Sequence, residues 1–431
     1  MPRRNLYLLF AAALVSIVCC QKVQSNRYGP VLVDVLDLIE HRALEPVSGA
    51  ELFAGAMEGM TGKLDDYSGY IAPEPYQEFQ ETIDQEFDGV GIEVMQDPKT
   101  KQLLVTSPLA GTPAYNAGIR AGDKILRING QSTQGMSLRE IVRRMRGKKG
   151  ESVTLVVLHE GAQKPEEIAI VRAAIHVDSV LGDTRNSDGS WNYFLAGSDR
   201  IGYLRVNSFG EKTAEEMTAA LKGLSQQGMC GLILDLRDNP GGLVDAAVKV
   251  CDLFIDSGVI VTTRNRGGEI RRAYSATTTG AYARIPLAVL VNKYSASASE
   301  IVAACLQDYN RAVIVGQRTW GKGTVQEVID LDEGQGALRL TTASYWRPSG
   351  RNIHRAKDAS DADAWGVLPN PGYEVVVDGE ELGQWVRWRR HRDLSKPGAD
   401  ADHRGEKDQP FVDRPLAKAV GYIEKQCGGG H

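Results

Sequence analysis

The sequence predicts a multidomain chain of mixed α+β and α/β architecture, a small β-rich module followed by a larger core of strand–loop–helix units, with helical segments before and after. Three observations carry this. The length, 431 residues, exceeds the ~100–200 residues of one domain. Residues 87–173 alternate short apolar runs with turn signals. Residues 200–345 hold two apolar strands, each running into an unusual loop and then a helical stretch, the pattern of a parallel sheet with crossover helices. An apolar content of 42% excludes wholesale disorder. A net charge of −5 argues against a dedicated nucleic-acid binder, so no nucleic-acid partner is expected.

The chain opens with Met1-Pro2-Arg3-Arg4 and an almost unbroken apolar run from Leu6 to Cys20. A basic start followed by such a run has the pattern of a signal peptide and is short of the ~20 residues a spanning helix needs. The exit, Val18-Cys19-Cys20-Gln21, is a poor small-residue cleavage site, so a retained membrane anchor stays open beside cleavage. Residues 1–26 are therefore expected to direct export, with a periplasmic or other extracytoplasmic destination and membrane attachment through the N-terminus as the alternative to release. Residues 27–86 form an N-terminal helical region, with Val31, Val33, Leu36, Ile39, Leu52, Met57 and Met60 on periodic faces and a polar, turn-rich stretch from residue 61. Residues 31–60 and 410–431 are candidates for a homodimer contact.

Residues 87–173 read as a compact module of strands at Val90–Val94, Leu103–Leu109, Asp123–Asn129, Val153–Leu158 and Ile168–Val171. An Asp97-Pro98-Lys99 turn, a short Thr112–Ala117 helix and an amphipathic Ser137–Met145 helix punctuate them. The order resembles a PDZ domain, including the Ala117–Asp123 and Ile128-Asn129-Gly130 turns. The resemblance implies that an extended peptide adds as an edge strand and that the Gly89-Val90-Gly91-Ile92 loop holds its terminal carboxylate.

Glycine is over-used, at 46 of 431 residues against a usual ~7%, and the excess points to functional loops. In the core, residues 174–390, Leu232–Leu236 precedes Asn239-Pro240-Gly241-Gly242 and a helical Leu243–Phe254 stretch; Leu287–Val291 precedes Ser295–Glu300 and a helical Ile301–Leu306 stretch. In α/β sheets, ligands sit at loops leaving the carboxyl ends of strands. Ser297 opens a capping box with Glu300, and a serine at a helix N-terminus also lies beside backbone N–H groups suited to an oxyanion. Ser295 and Ser299 are rivals that the residues alone do not separate. A nucleophilic serine needs a base. No telling histidine and no GxSxG elbow occur, and Lys322, between Gly321 and Gly323, is the candidate, with Trp320 and Val325 as its apolar wall. The run Gly316–Lys322 imitates the start of a P-loop, but Gly323 replaces the magnesium-holding Ser or Thr and a β-branched strand follows instead of a helix.

Three motifs in series, Leu234–Leu243, Ser295–Ile301 and Gly321–Gln326, together with Leu64–Ser68 and Phe87–Gly91, resemble the carboxyl-terminal processing peptidases, or tail-specific proteases, over roughly residues 35–375. The resemblance implies a PDZ-like domain on a crotonase-like ββα protease core. It implies Ser297 as nucleophile, Lys322 as general base, Gln326 orienting the lysine, and the N–H groups of Gly241 and Ala298 as oxyanion hole. It also implies Gly89, Val90, Gly91 and Ile92 as the tail-binding loop, with Arg172 coupling the PDZ module to the protease. Glu300 and Asp308 read as structural. The expected partners are protein or peptide substrates with free, apolar C-termini. A catalytically dead peptide-binding scaffold and a crotonase-like acyl-transfer enzyme are the competing readings; the Ser/Lys pair and the PDZ-like module count against them.

The histidines show no HExxH and no paired ligand spacing, so neither a metal nor a cofactor is expected. Cys230, Cys251 and Cys305 sit in apolar runs and Cys427 in the tail, without CxxC spacing, which reads as buried free thiols. Residues 391–431 read as a charged linker followed by a final helix over 415–426.

Overall fold

A computed structural model describes residues 28–97, 100–109, 111–277, 280–331, 334–394 and 411–428. The export segment, the Pro98-Lys99 turn and most of the charged linker lie outside them. The chain divides into two compact units, residues 1–76 with 326–341, and residues 77–325 with 342–431.

In the first unit, the helical arm is two helices, Gly29–Arg42 and Gly49–Thr61, broken around Pro46. Ser48 and Glu51 close a reciprocal capping box at the second, each accepting the other's N–H at 3.1–3.2 Å. Strand Gly69–Ile71 pairs antiparallel with residues 337–339. The stretch from residue 61, expected to be turn-rich, contains a helix, Pro73–Asp84. Pro73 and Pro75 do not forbid it, because both lie in the first turn, where no intrahelical N–H is required.

The second unit begins with the PDZ module. Its sheet runs, by residues, 92–96, 103–108, 124–128, 152–158 and 166–171, with Ile92–Gln96 at one edge. Alternation along Ser152–Leu158 buries Val153, Leu155 and Val157 against Ile141 and Met145 of the Leu138–Met145 helix. Strands Glu86–Gly89 and Ala173–His176 form a separate antiparallel ribbon through which the chain enters and leaves the module.

The core is a five-stranded sheet ordered 180–181, 201–206, 231–235, 287–291, 313–316, with the last four strands parallel. Leu232 and Leu234 face a layer built by the helices Thr213–Gln226, Val244–Asp252 and Ala298–Asp308. Ile233 and its neighbours Tyr203, Ala288 and Leu290 face Leu416, Ala419 and Ile423 of the C-terminal helix Arg414–Gly428. A sheet buried on both faces explains why these strands are continuous apolar runs. Among the described residues, helix Gly379–Leu394 carries order past residue 390, into the stretch expected to be linker.

The cysteines correct one expectation. Cys230, just before strand Gly231–Asp235, is bonded to Cys427 on the C-terminal helix. Cys251 and Cys305 are buried free thiols, as expected. Pairing across 197 residues leaves no local spacing for a sequence reading to find.

Candidate active site

Three neighbouring parallel strands of the second unit end on one edge of the sheet. Strand Gly231–Asp235 runs into the loop with Gly241, Leu287–Val291 into the loop with Ser297, and Val313–Gly316 into the loop with Lys322. The topology therefore gathers motifs that are up to 81 residues apart in sequence. Polar side chains stitch the loops together. Asn292 accepts from the Asp238 N–H and donates to the Asp238 carboxylate, both at 3.0 Å. The Asn239 carbonyl accepts from the Ala296 N–H at 3.0 Å.

The three serines now differ. The Ser295 hydroxyl donates to the Leu236 carbonyl at 2.8 Å, and the Ser299 hydroxyl to the Asn239 carbonyl at 3.0 Å; both side chains are wholly buried loop stitches. Ser297 stands at the N-terminus of the Ala298–Asp308 helix with φ 55° and ψ −114°, a conformation that L-residues avoid. Such strain costs on the order of 1–3 kcal/mol and persists only where the surroundings impose it. Its side chain is hydrogen-bonded to the buried Tyr345 hydroxyl, whose ionisation burial pushes well above the usual phenol range. Nothing in the local sequence marks Tyr345, which arrives from a distant strand.

Glu300 has a larger role than a helix cap. Its Oε2 accepts the Ser297 N–H at 2.9 Å and the Lys322 N–H at 2.8 Å. Its Oε1 accepts the Gly321 N–H at 2.8 Å and the Thr319 hydroxyl. One wholly buried carboxylate thus fixes both loops. Burial pushes its pKa up to about 7 against these four donors. The Glu300 N–H itself goes to the Ser297 carbonyl at 2.9 Å.

Around Lys322 the glycines are required. A Cβ on Gly323 would lie 2.3 Å from the His354 nitrogen, and one on Gly321 2.7 Å from the Arg355 Cβ. Trp320 is 49% exposed, and the Trp365 ring lies against Gly321. Thr324–Asp330 is a strand, so the P-loop-like run lacks the helix a nucleotide site needs.

Gly241 (φ +104°) packs directly on the serine: a Cβ there would sit 2.7 Å from the Ser297 Cβ and 3.0 Å from the Ala298 nitrogen. Its N–H donates to Asn239 Oδ1 at 2.8 Å, so it reaches an oxyanion only by sharing or releasing that bond. Ala298 is the first residue of its helix, where backbone N–H groups have no intrahelical partner.

Gln326 lies in the first unit. There its Nε2 donates to the Thr341 hydroxyl at 3.1 Å, and that hydroxyl donates to Asp65 at 2.9 Å. Burial pushes the Asp65 carboxyl up, but donors from Tyr67, Ser68 and Thr341 hold it below its ordinary value.

In the PDZ module, Gly91 (φ +79°) leaves no room for a side chain, since a Cβ would be 2.3 Å from Thr112. The Val90 carbonyl accepts from the Ala114 N–H at 2.9 Å. Gly89 ends the entry strand and Ile92 begins the edge strand, with Ile92, Val94, Met136 and Val142 half-buried on the module's core. Arg172 is buried at 6% exposure, donating to the carbonyls of Arg144, Met145 and Ser152 at 3.0–3.2 Å. It caps the end of the Leu138–Met145 helix, which needs such donors. Asp308 is structural as expected, forked by Arg347 at 2.6 and 2.9 Å.

The profile of peptidase family S41 matches residues 200–367, and the PDZ-domain profile matches residues 78–158. The carboxy-terminal-processing protease of Bartonella bacilliformis is 37% identical over 89% of this chain and 86% of its own length. The carboxyl-terminal-processing protease of Synechocystis is 38% identical over 74% of this chain and 72% of its own length. The solved photosystem II D1 C-terminal processing protease aligns at 27% identity and TM-score 0.43, over 82% of this chain and 94% of that one. The two profiles and the curated relatives together define a serine protease core carrying a PDZ domain. The chain belongs to peptidase family S41, among the carboxy-terminal processing proteases.

Proposed function

We propose that this protein is an exported endopeptidase that selects protein tails through its PDZ module and cleaves them with a Ser297–Lys322 dyad. One observation carries the reading: a single oxygen of buried Glu300 accepts the N–H groups of both Ser297 and Lys322, which keeps the two residues together at the mouth of the sheet. The neutral Lys322 amine takes the Ser297 proton as Oγ attacks the scissile carbonyl. The Ala298 and Gly241 amides stabilise the oxyanion, the latter turning from Asn239. The intermediate expels the amine, which takes the proton from Lys322, and water then hydrolyses the acyl-enzyme. The strained Ser297 backbone and the interior duties of Ser295 and Ser299 support the choice of nucleophile.

Export is supported by the basic and apolar N-terminus and by the Cys230–Cys427 bond, since disulfides persist in oxidising compartments. The mass of the N-terminal peptide of the mature protein distinguishes cleavage from a retained anchor. Val31, Val35 and Leu38, at i, i+4 and i+7 of the first helix, are 43–56% exposed and support a homodimer formed through that face.

Ser297→Ala and Lys322→Ala should each abolish cleavage of an unstructured protein while circular dichroism stays unchanged. A serine-reactive probe should label the wild type and spare Ser297→Ala. Wild-type turnover in either variant would end this assignment.

A further inference from the structure

The ribbon that joins the PDZ module to the core ends in a side-chain cluster with no part in the proposed chemistry. His176 closes the exit strand, Asp178 follows two residues later, and Glu216 projects from the core helix Thr213–Gln226. One donor atom from each lies within 4.8 Å of the other two. His176 Nδ1 faces the Gln85 carbonyl at 3.1 Å, while Nε2 faces Glu216 Oε1 at 2.9 Å and Asp178 Oδ1 at 3.7 Å. Both ring nitrogens therefore face acceptors. A neutral imidazole carries one N–H, so one nitrogen would point a lone pair at an oxygen. An Nδ1–H donated to a backbone carbonyl is how metal-binding imidazoles are oriented, and it leaves the Nε2 lone pair aimed at the two carboxylates.

The surroundings fix this arrangement. Glu216 Oε2 accepts from the Ser179 N–H at 2.8 Å and from the Ser179 hydroxyl and the Val180 N–H at 2.9 Å, and Oε1 accepts from Gln85 Nε2 at 2.8 Å. Gln85 is buried with φ 56°, which holds its carbonyl under the imidazole. The two carboxylates face the same imidazole nitrogen and repel each other. His176 and Asp178 also line a cavity of about 1270 Å³, a route by which an ion arrives without unfolding.

We propose that His176, Asp178 and Glu216 form a binding site for a divalent transition-metal ion, with zinc as the type, which ties the exit strand of the PDZ module to the protease core. Ligands ~2.0–2.2 Å from zinc stand ~3.3 Å apart in a tetrahedron. The separations from Nε2, 2.9 and 3.7 Å, bracket that value, and the two carboxylate oxygens, within 4.8 Å of each other, reach it by rotation of the exposed Asp178 side chain. One imidazole with two carboxylates suits zinc-class ions, whereas magnesium and calcium prefer all-oxygen shells.

The full chain, freed of metal by chelation, is titrated with Zn²⁺ by calorimetry and melted with and without the ion. One saturable ion per chain is expected, with a raised melting temperature and no displacement by excess Mg²⁺. His176→Ala should weaken binding about tenfold or more, and Asp178→Asn, an exposed change that leaves the fold intact, should weaken it measurably. Both variants should keep metal-free cleavage rates. Absence of saturable binding, or unchanged affinity and stoichiometry in His176→Ala, overturns the site and leaves the cluster a set of hydrogen-bonded side chains. Neither outcome touches the Ser297–Lys322 reading.

Discussion

Glu300 holds four donors on two oxygens, and protonating either oxygen turns an acceptor into a donor facing N–H groups. Turnover should therefore fall as pH drops through about 7, the value to which burial raises this carboxyl. Stability moves the other way. A folded pKa raised above the ordinary 4.5 gives a contribution that is complete below pH 4.5 and lost as pH rises through about 7. Measured in parallel over this window, activity should climb while the melting temperature declines, and Glu300→Gln should flatten both trends and lower kcat by about tenfold or more. Gly241→Ala belongs to the same scale. Its Cβ would meet the Ala296 carbonyl at 2.8 Å and the Ser297 Cβ at 2.7 Å, so activity on an unstructured protein should vanish even where soluble protein is recovered.

At the scale of elements, the strands of the core were legible because burial on both faces makes them unbroken apolar runs; Leu287–Val291 needs no correction at either end. The helix at Pro73–Asp84 was not, because two prolines and a polar composition outweighed a periodicity that tertiary packing rewards. At the site, Gly241, Ser297 and Lys322 announce themselves by motif, whereas Tyr345 and the hub role of Glu300 exist only once distant loops converge. The C-terminal helix was expected, but not its covalent anchor. Cys427→Ser should lower stability by about 2–5 kcal/mol in denaturant unfolding, and a reductant should bring the wild type to the same midpoint.

At the scale of the whole molecule, the PDZ edge strand Ile92–Gln96 presents one hydrogen-bonding side beyond its sheet, and half-buried apolar residues lie beneath it. An added strand gains affinity from backbone bonds and selectivity from those side chains. If a terminal carboxylate is the handle, amidating the last residue of a peptide substrate should raise KM about tenfold with kcat little changed. Equal KM values for the free and amidated peptides would show that the module reads something else. The Gly89–Ile92 loop was legible through its glycines. The carbonyl contacts of Arg172 were not legible, because they exist only once the end of the Leu138–Met145 helix is in place beside its strand.

The bond between Cys230 and Cys427 has one more consequence, for a protein that carries a peptidase site. The interval it closes contains Gly241, Ser297 and Lys322. A single cut anywhere inside that interval, by another copy or a foreign protease, opens the backbone without parting the pieces. Nicked molecules should run at full mass on a non-reducing gel and separate only when reduced, so damage to this enzyme accumulates unseen until its sulfur bridge is broken.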